Sequence, residues 1–179
     1  MCTSTFLIDF QGTVYFIGFM IGSFLWLRLT DIYGRKKFIL AGHAAHLAIT
    51  TLLLTIRNEI NLFVFLFLIG LHTGMTGLCA YLLLLEIVSA KYRPFFSAAV
   101  NAVDGTTNIW LPFYYKYVNT WEYLFIANMV ESFLLLILIW ALATESPRFL
   151  VTTRRFSLAR KAYARIARVN KRPMFDAKF

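Results

Sequence analysis

Two carboxylates, Asp104 and Glu131, lie near the middle of long apolar stretches of the sequence. An ionised acid at the centre of a membrane costs at least about 2.5 kcal/mol, so each must be neutral, paired or in contact with polar groups. Asn101, Asn108 and two threonines stand close to Asp104 and can supply hydrogen bonds. Asp104, Asn101 and Asn108 are therefore candidates for a relic substrate or proton site. Burial inside the protein or against a partner is the alternative, which we favour for Glu131 and leave open for Asp104.

Three histidines offer nitrogen ligands, but a metal site needs a third and a fourth ligand that converge on one place. His43 and His46 are three residues apart in one predicted helix, and His72 lies in the next apolar stretch. Their spacing indicates no such convergence. We predict no metal site and interpret the histidines as residues that hydrogen-bond between helices or at the membrane interface.

Catalysis has no candidate residues in this sequence. It contains no glycine-rich phosphate loop, no nucleophile elbow and no cysteine pair at metal-binding spacing. It has only two cysteines, Cys2 near the N-terminus and Cys79 inside the third apolar stretch, so no disulfide framework is predicted. We expect a protein that is not an enzyme and that needs no cofactor.

The composition indicates which elements must hold these residues. Of the 179 residues 59% are hydrophobic and 17% aromatic, whereas a soluble domain is about 45–50% apolar. The mean hydropathy is +0.65. Only 15% of the residues are charged, which excludes a disordered chain. The chain is therefore expected to lie in a lipid bilayer.

Five apolar stretches come close to the roughly 20 residues that a membrane-spanning helix needs. They are residues 12–29, 38–56, 62–85, 95–115 and 122–143. We predict an all-α membrane protein in which residues 1–143 form a bundle of five transmembrane helices. Residues 144–179 form a separate segment at the membrane surface.

Lysine and arginine predict the orientation, because basic residues are retained on the inner side of a membrane. Of the 18 basic residues, 16 fall in the first and third connections or after the last span. Arg57 and Lys116 are the exceptions. The N-terminus is therefore predicted outside and the C-terminus inside. The sequence does not choose between the plasma membrane and the mitochondrial inner membrane.

The segment after the last span has a helical period, with an apolar side opposite a basic side. Leu158, Ala162 and Ile166 share the apolar side, and Arg165 and Arg168 lie opposite. A basic amphipathic helix next to a span is typical of docking on anionic lipid headgroups. A solvated face without a partner and nucleic-acid binding are alternatives, and we expect anionic lipids and no nucleic acid.

The connection between the first two spans carries an acid, a glycine and a basic run. Gly22 is followed by Asp31, and then by Gly34, Arg35 and two lysines. Gly34 permits a tight reversal, and Asp31 can cap or pair across the turn. The pattern resembles the inner-loop signature of the major facilitator superfamily.

A second pattern lies at the third span, where Gly70 and Gly74 are followed by Glu86 and Arg93. It resembles the fourth helix of the sugar and organic-ion transporter branches of that superfamily. Glycines four residues apart allow helices to approach closely. The resemblance implies that Glu86 and Arg93 pair across the turn at the membrane edge.

A third pattern follows the last span, from Glu145 through Ser146, Pro147 and Arg148 to Leu150. It is similar to the element after the sixth helix of organic-cation, organic-anion and sugar transporters. The three patterns cover about residues 10–170 and map the five spans onto helices two to six of one transporter half. The resemblance implies an inner-face network of Asp31, Gly34, Arg35, Glu86, Arg93, Glu145 and Arg148.

Some positions depart from the family. Its members have twelve helices in two halves with the substrate between them, so the resemblance covers part of one half and omits the first helix. Leu27, Ile32 and Leu66 stand where the family has a glycine and two arginines, features associated with movement between the halves.

Two functions remain in competition. The first is a non-transporting accessory or scaffold subunit of a larger membrane complex, in contact with other membrane protein subunits. The second is a secondary transporter of an organic ion or sugar that works as a short or paired half-transporter.

Overall fold

The computed structural model describes residues 5–56, 59–118 and 120–171, and within those ranges the protein is helical and contains no strand. The helices are α1 (Thr5–Tyr33), α2 (Arg35–Thr55), α3 (Glu59–Ile87), α4 (Arg93–Tyr117), α5 (Trp121–Leu142), α6 (Pro147–Thr152) and α7 (Phe156–Val169), with one 3-10 turn at Ala90–Tyr92. The all-α prediction is confirmed. Cys2, Arg57, Arg172 and Lys178 lie outside the described residues, and so does the side chain of Leu27.

All five predicted long helices form, but they differ in hydropathy. Four of them, α1, α2, α3 and α5, are long and apolar enough to cross a membrane. The fifth, α4, is the least apolar of the long helices. Asn101, Asp104 and Asn108 interrupt its apolar side chains. By length and composition, α4 is an amphipathic helix rather than a simple span.

Helices α1 and α3 pack closely along a stripe of glycines. A Cβ atom added at Gly18 or Gly22 would overlap a backbone carbonyl of α3, and one added at Gly70 or Gly74 would overlap a carbonyl of α1. Small residues let helix backbones meet in this way within a membrane. The packing role predicted for Gly70 and Gly74 is confirmed, and α1 supplies a matching pair at the same spacing.

Replacing Gly70 by alanine should push α1 and α3 apart, because its Cβ would meet the backbone carbonyl of Tyr15. Overpacking of this kind costs about 1–3 kcal/mol. Reversible unfolding in mixed micelles measures the loss. Gly77→Ala is the matched control, since Gly77 lies on the same helix with nothing within 4 Å of the added atom. Equal stabilities of the two variants would contradict the close contact.

The remaining helices attach to this pair to different degrees. Helix α2 packs on α3 and α5, and it shares the buried cluster of Ile39, Cys79 and Leu83 with α3. Helices α6 and α7 form a hairpin around Phe149 and Ala159. None of the residues of α4 is buried. Helix α4 therefore presents most of its surface away from the bundle.

The basic amphipathic segment forms α7 as expected. Ala159 and Ala162 are buried against α6, whereas Arg160, Lys161 and Arg168 are exposed. Arg165 donates a hydrogen bond from Nη2 to the carbonyl of Ala141 at 2.8 Å, which ties α7 to the end of α5. The basic side of α7 is thus held beside the end of an apolar helix.

Candidate functional site

The reversal between α1 and α2 depends on Gly34. Its amide donates to the carbonyl of Thr30 at 3.0 Å and closes α1. Its φ of 101° lies in a region that side-chain-bearing residues rarely adopt. A Cβ there would also stand 2.7 Å from Oε2 of Glu145. Gly34 is therefore required both by its conformation and by the approach of a distant carboxylate.

Glu145, which lies 110 residues after Arg35 in the sequence, caps the start of α2. Its Oε1 accepts hydrogen bonds from the backbone amides of Arg35 at 2.9 Å and Lys36 at 3.0 Å, and from that of Ser146 at 3.2 Å. The first amides of a helix lack partners within it and carry partial positive charge, which favours a carboxylate there. The cap joins α2 to the segment that follows α5.

The Lys36 side chain makes the complementary contact. Its Nζ donates to the carbonyl of Ala143 at 2.6 Å and to that of Trp140 at 3.0 Å. The end of α5 carries partial negative charge, which favours an ammonium group. The start of α2 and the end of α5 therefore stabilise each other through two opposite charges.

Arg35 links three helices. Its Nη1 lies 2.7 Å from Oε1 of Glu86 on α3, and its Nη2 lies 3.2 Å from Oδ1 of Asp31 on α1. The side chains of Arg35 and Glu86 are each only 12% exposed, whereas that of Asp31 is 66% exposed. An exposed ion pair adds little stability, but a shielded one is costly to break. The pair of Arg35 and Glu86 is therefore the stronger constraint.

Ser146 completes the arrangement at the start of α6. Its hydroxyl donates to Oε2 of Glu86 and accepts from the amide of Phe149 at 3.2 Å. Serine at this position is a favourable helix cap. The structure brings together five residues of the predicted inner-face network and adds Lys36 and Ser146 to them. From here on the name inner-face network is used for the set of seven: Asp31, Gly34, Arg35, Lys36, Glu86, Glu145 and Ser146.

Two residues predicted for this network lie apart from it. Glu86 pairs with Arg35, and the expected pair with Arg93 is wrong: Nε of Arg93 donates instead to the carbonyl of Val88 at 3.4 Å. Arg93 begins α4 after the 3-10 turn, and Arg35 comes closer because α2 packs along α3. Arg148 is exposed in the first turn of α6.

The polar residues of α4 form a stripe. Asn101, Asp104 and Asn108 are exposed and follow one another at the three- and four-residue spacing of a single helix face. The neighbouring threonines, Thr106 and Thr107, donate to carbonyls of their own helix at 2.6 Å. The two threonine hydroxyls therefore bind backbone carbonyls and not the Asp104 carboxylate, the partner expected from the sequence. The site formed by Asn101, Asp104 and Asn108 remains a prediction.

Glu131 is exposed on α5, so its predicted burial inside the bundle is wrong. The buried residue is its neighbour Ser132, whose hydroxyl forms a hydrogen bond of 2.8 Å with Nδ1 of His43. This contact confirms a hydrogen bond between helices for His43. Burial of Glu131 against a partner protein remains a prediction.

The structure brings the three histidines together, which their separation in sequence did not indicate. The ring of His72 lies 4.6 Å from that of His46 and 5.9 Å from that of His43, measured between centroids. No group of three or more metal-binding side chains is arranged around a common point within the described ranges. Only the relative register of α2 and α3 creates this cluster.

Known proteins resemble most of the chain. A family model described as Major Facilitator Superfamily matches residues 2–175. Solute carrier family 22 member 4 of Mus musculus is 26% identical over 95% of this chain and 31% of its own length. Organic cation/carnitine transporter 2 of Homo sapiens is 27% identical over 88% of this chain and 28% of its own length. Organic cation/carnitine transporter 6 of Arabidopsis thaliana is 28% identical over 83% of this chain and 29% of its own length. The chain thus spans less than a third of the length of these relatives.

Proposed function

Because the chain belongs to the major facilitator superfamily, we propose that it forms one side of a secondary transporter for organic ions and works as a short or paired half-transporter. It is a transporter-like integral membrane protein, and the relatives that it resembles are transporters rather than enzymes. The names of two of those relatives include organic cation and carnitine. An organic cation is accordingly the substrate class that we propose.

The observation that carries this proposal is the inner-face network. Alternating access requires one bundle to rock as a largely rigid body against another. The contacts of Arg35 with Glu86 and of Glu145 with the start of α2 tie α1, α2, α3 and the end of α5 together at one side. A bundle held in this way moves as a unit, as the mechanism requires.

Helix α4 supplies the proposed solute path. It is unburied along its whole length and carries the polar stripe of Asn101, Asp104 and Asn108. A carboxylate on a helix that lines a membrane path attracts a cation, and the flanking amides can donate hydrogen bonds to its substituents or accept hydrogen bonds from them. We propose that a second bundle covers α4 and encloses the path.

The basic side of α7 is proposed to lie on anionic lipids at the inner face. Arg160, Lys161 and Arg168 are exposed there, and each basic residue near such a surface contributes about 1 kcal/mol of attraction. The contact of Arg165 with Ala141 holds this side beside the end of α5. The proposed topology, with the N-terminus outside and the C-terminus inside, agrees with this placement.

Uptake of tetraethylammonium into liposomes that contain the chain tests the proposal. We expect saturable uptake by the unmodified protein and about a tenfold lower rate for Asp104→Asn, equivalent to about 1.4 kcal/mol. Asp9→Asn is the matched control, because Asp9 is also an exposed carboxylate on a long helix. Absence of saturable uptake by the unmodified chain would overturn the proposal. An equal loss in both variants would refute the role of Asp104.

The interpretation as a non-transporting accessory or scaffold subunit has no specific support. Neither the names of the relatives nor the described contacts point to it, and the same holds for the mitochondrial inner membrane. Recovery of the chain from mild detergent in a fixed ratio with other subunits would favour that interpretation.

A further inference from the structure

An exposed serine follows two arginines at the turn between α6 and α7. The sequence there reads Arg154, Arg155, Phe156, Ser157 and Leu158, and all five residues are exposed. Ser157 therefore has basic side chains two and three positions before it and an apolar side chain directly after it. Neither the inner-face network nor the proposed solute path uses this segment.

The turn that carries the two arginines has a well-defined backbone. The amide of Arg155 donates to the carbonyl of Leu150 at 2.9 Å. The amide of Arg154 donates to the carbonyl of Val151 at 3.0 Å. This pair of bonds is a common way to end a helix, and it uses a residue of left-handed conformation, here Arg154 at φ 59°. The end of α6 thus holds the backbone of both arginines just before Ser157.

Helix α7 begins without the groups that usually secure the start of a helix. Within the described residues, Arg155 at its N-cap makes no side-chain hydrogen bond to the helix, and the first turn contains no acidic residue. Because the first amides of a helix have no partners within it, an uncapped first turn opens at little cost. Ser157 lies in that turn, so this segment can extend into the groove of an enzyme.

Two other hydroxyl residues provide a comparison. Ser89 is also exposed, but the three positions before it hold Glu86 and two apolar residues. Thr153 lies in the same turn as the arginines, and its hydroxyl donates to the carbonyl of Phe149 at 2.8 Å. Exposure and a preceding pair of arginines coincide at Ser157.

We propose that Ser157 is a phosphorylation site for a protein kinase that selects arginine-rich segments. Kinases discriminate between substrates by charge pattern, and a guanidinium group forms two hydrogen bonds with a carboxylate. An acidic groove would therefore bind Arg154 and Arg155 and bring the Ser157 hydroxyl to the γ-phosphate of ATP. The serine oxygen forms a bond to that phosphorus, the bond between the phosphorus and ADP breaks, and the hydroxyl proton passes to the aspartate of the kinase.

The phosphate would act on the basic side of α7, where Ser157 also lies. Arg160 and Lys161 stand three and four positions after Ser157, and Arg168 lies three helical turns further along. A phosphoserine carries about −1.5 to −2 charges at pH 7. It would pair with Arg160 and Lys161 and repel anionic headgroups. This effect rests on the lipid docking proposed above, and it makes the kinase and the lipid competitors for one face of α7.

Phosphorylation of the full chain in lipid nanodiscs tests the site, because both faces of a nanodisc are open to an enzyme. The catalytic subunit of cAMP-dependent protein kinase serves as the arginine-directed enzyme, with radiolabelled ATP, and mass spectrometry locates the phosphate. In phosphatidylcholine nanodiscs, we expect incorporation at Ser157. Ser157→Ala should abolish this incorporation, and the matched control Ser89→Ala should leave it unchanged.

A second variant tests recognition of the arginines with the hydroxyl still in place. Replacing both Arg154 and Arg155 by glutamine should lower the initial rate about tenfold, because the charge-assisted contacts with the kinase are lost. Both side chains are exposed, so the change removes no buried contact. The site is refuted by absence of incorporation, by equal incorporation in Ser157→Ala and the unmodified chain, or by an unchanged rate in the arginine variant.

The lipid composition separates the site from the proposed docking. Nanodiscs with about 30% phosphatidylserine should be phosphorylated at Ser157 about threefold more slowly than those of phosphatidylcholine alone, because docking covers the residue. Arg168→Gln should reduce this difference, since it weakens the docking at a position eleven residues after Ser157. Equal rates in the two lipids would overturn the competition and contradict the docking, while Ser157 would stand as the modified residue.

Discussion

Replacement of Arg35 by alanine is expected to lower the free energy of unfolding by about 3–5 kcal/mol, because it leaves the shielded carboxylate of Glu86 without its cation. The Ser146 hydroxyl would remain as the hydrogen-bond donor to Glu86 and cannot neutralise its charge. Reversible unfolding in mixed micelles, followed by circular dichroism, measures the effect. Organic-cation uptake should fall in parallel, since the helices would no longer move as one unit.

Lys37→Ala is the matched control for this prediction. Lys37 lies two residues further along, carries the same charge and is exposed. Its removal should change the unfolding free energy by no more than about 0.5 kcal/mol. Arg35→Lys should recover part of the loss, because an ammonium group keeps the charge but cannot contact Glu86 and Asp31 together. Similar losses for Arg35→Ala and Lys37→Ala would contradict the distinction between the two positions.

Gly34→Ala is expected to be the second most damaging change. Holding a side-chain-bearing residue at φ 101° costs about 1–3 kcal/mol. The added Cβ would also meet Oε2 of Glu145 at 2.7 Å and displace the carboxylate from the start of α2. Loss of that cap would raise the total to roughly 2–5 kcal/mol. The same unfolding measurement applies.

A glycine in open space provides the comparison. Gly105 lies within α4 with nothing within 4 Å of an added Cβ, so Gly105→Ala should be neutral or slightly stabilising through helix propensity. Combining Gly34→Ala with Glu145→Ala should cost less than the sum of the two separate changes, since both disturb one contact. Strict additivity would mean that the Gly34 variant acts through the backbone alone.

Much of the fold follows from local features of the sequence. Apolar stretches of about 20 residues predict the long helices, and Gly34 within a polar connection predicts the reversal between α1 and α2. The low hydropathy of α4 is also visible in the sequence, because Asn101, Asp104 and Asn108 place three polar residues on one face of the helix. These three residues make α4 less apolar than its length alone suggests.

The contacts of the site were less predictable because they join distant parts of the chain. Glu86 has Arg93 nearby in sequence, yet it pairs with Arg35 because α2 packs along α3. Glu145 reaches the start of α2 from 110 residues away. The family resemblance identified both acids but not their partners. The meeting of His46 with His72 depends on the register of two helices, which no local pattern encodes.

The positions that depart from the family fit this arrangement in part. Ile32 is 63% exposed, next to Asp31 and outside the shielded pair of Arg35 and Glu86. Its substitution therefore leaves the inner-face network intact. Leu66 lies half-buried on α3. The network can hold the bundle together without the arginines that the family has at these two positions.

A double-mutant cycle between Arg35 and Glu86 tests most directly whether the inner-face network ties the helices into one unit. The free energy of unfolding is measured for the unmodified chain, Arg35→Ala, Glu86→Ala and the double variant. We predict that the double variant loses at least about 1.5 kcal/mol less than the sum of the single losses. Arg35→Ala leaves the shielded Glu86 carboxylate without a cation, and Glu86→Ala leaves Arg35 with only the exposed carboxylate of Asp31. Losses that add to within about 0.5 kcal/mol would show independent residues and contradict the network.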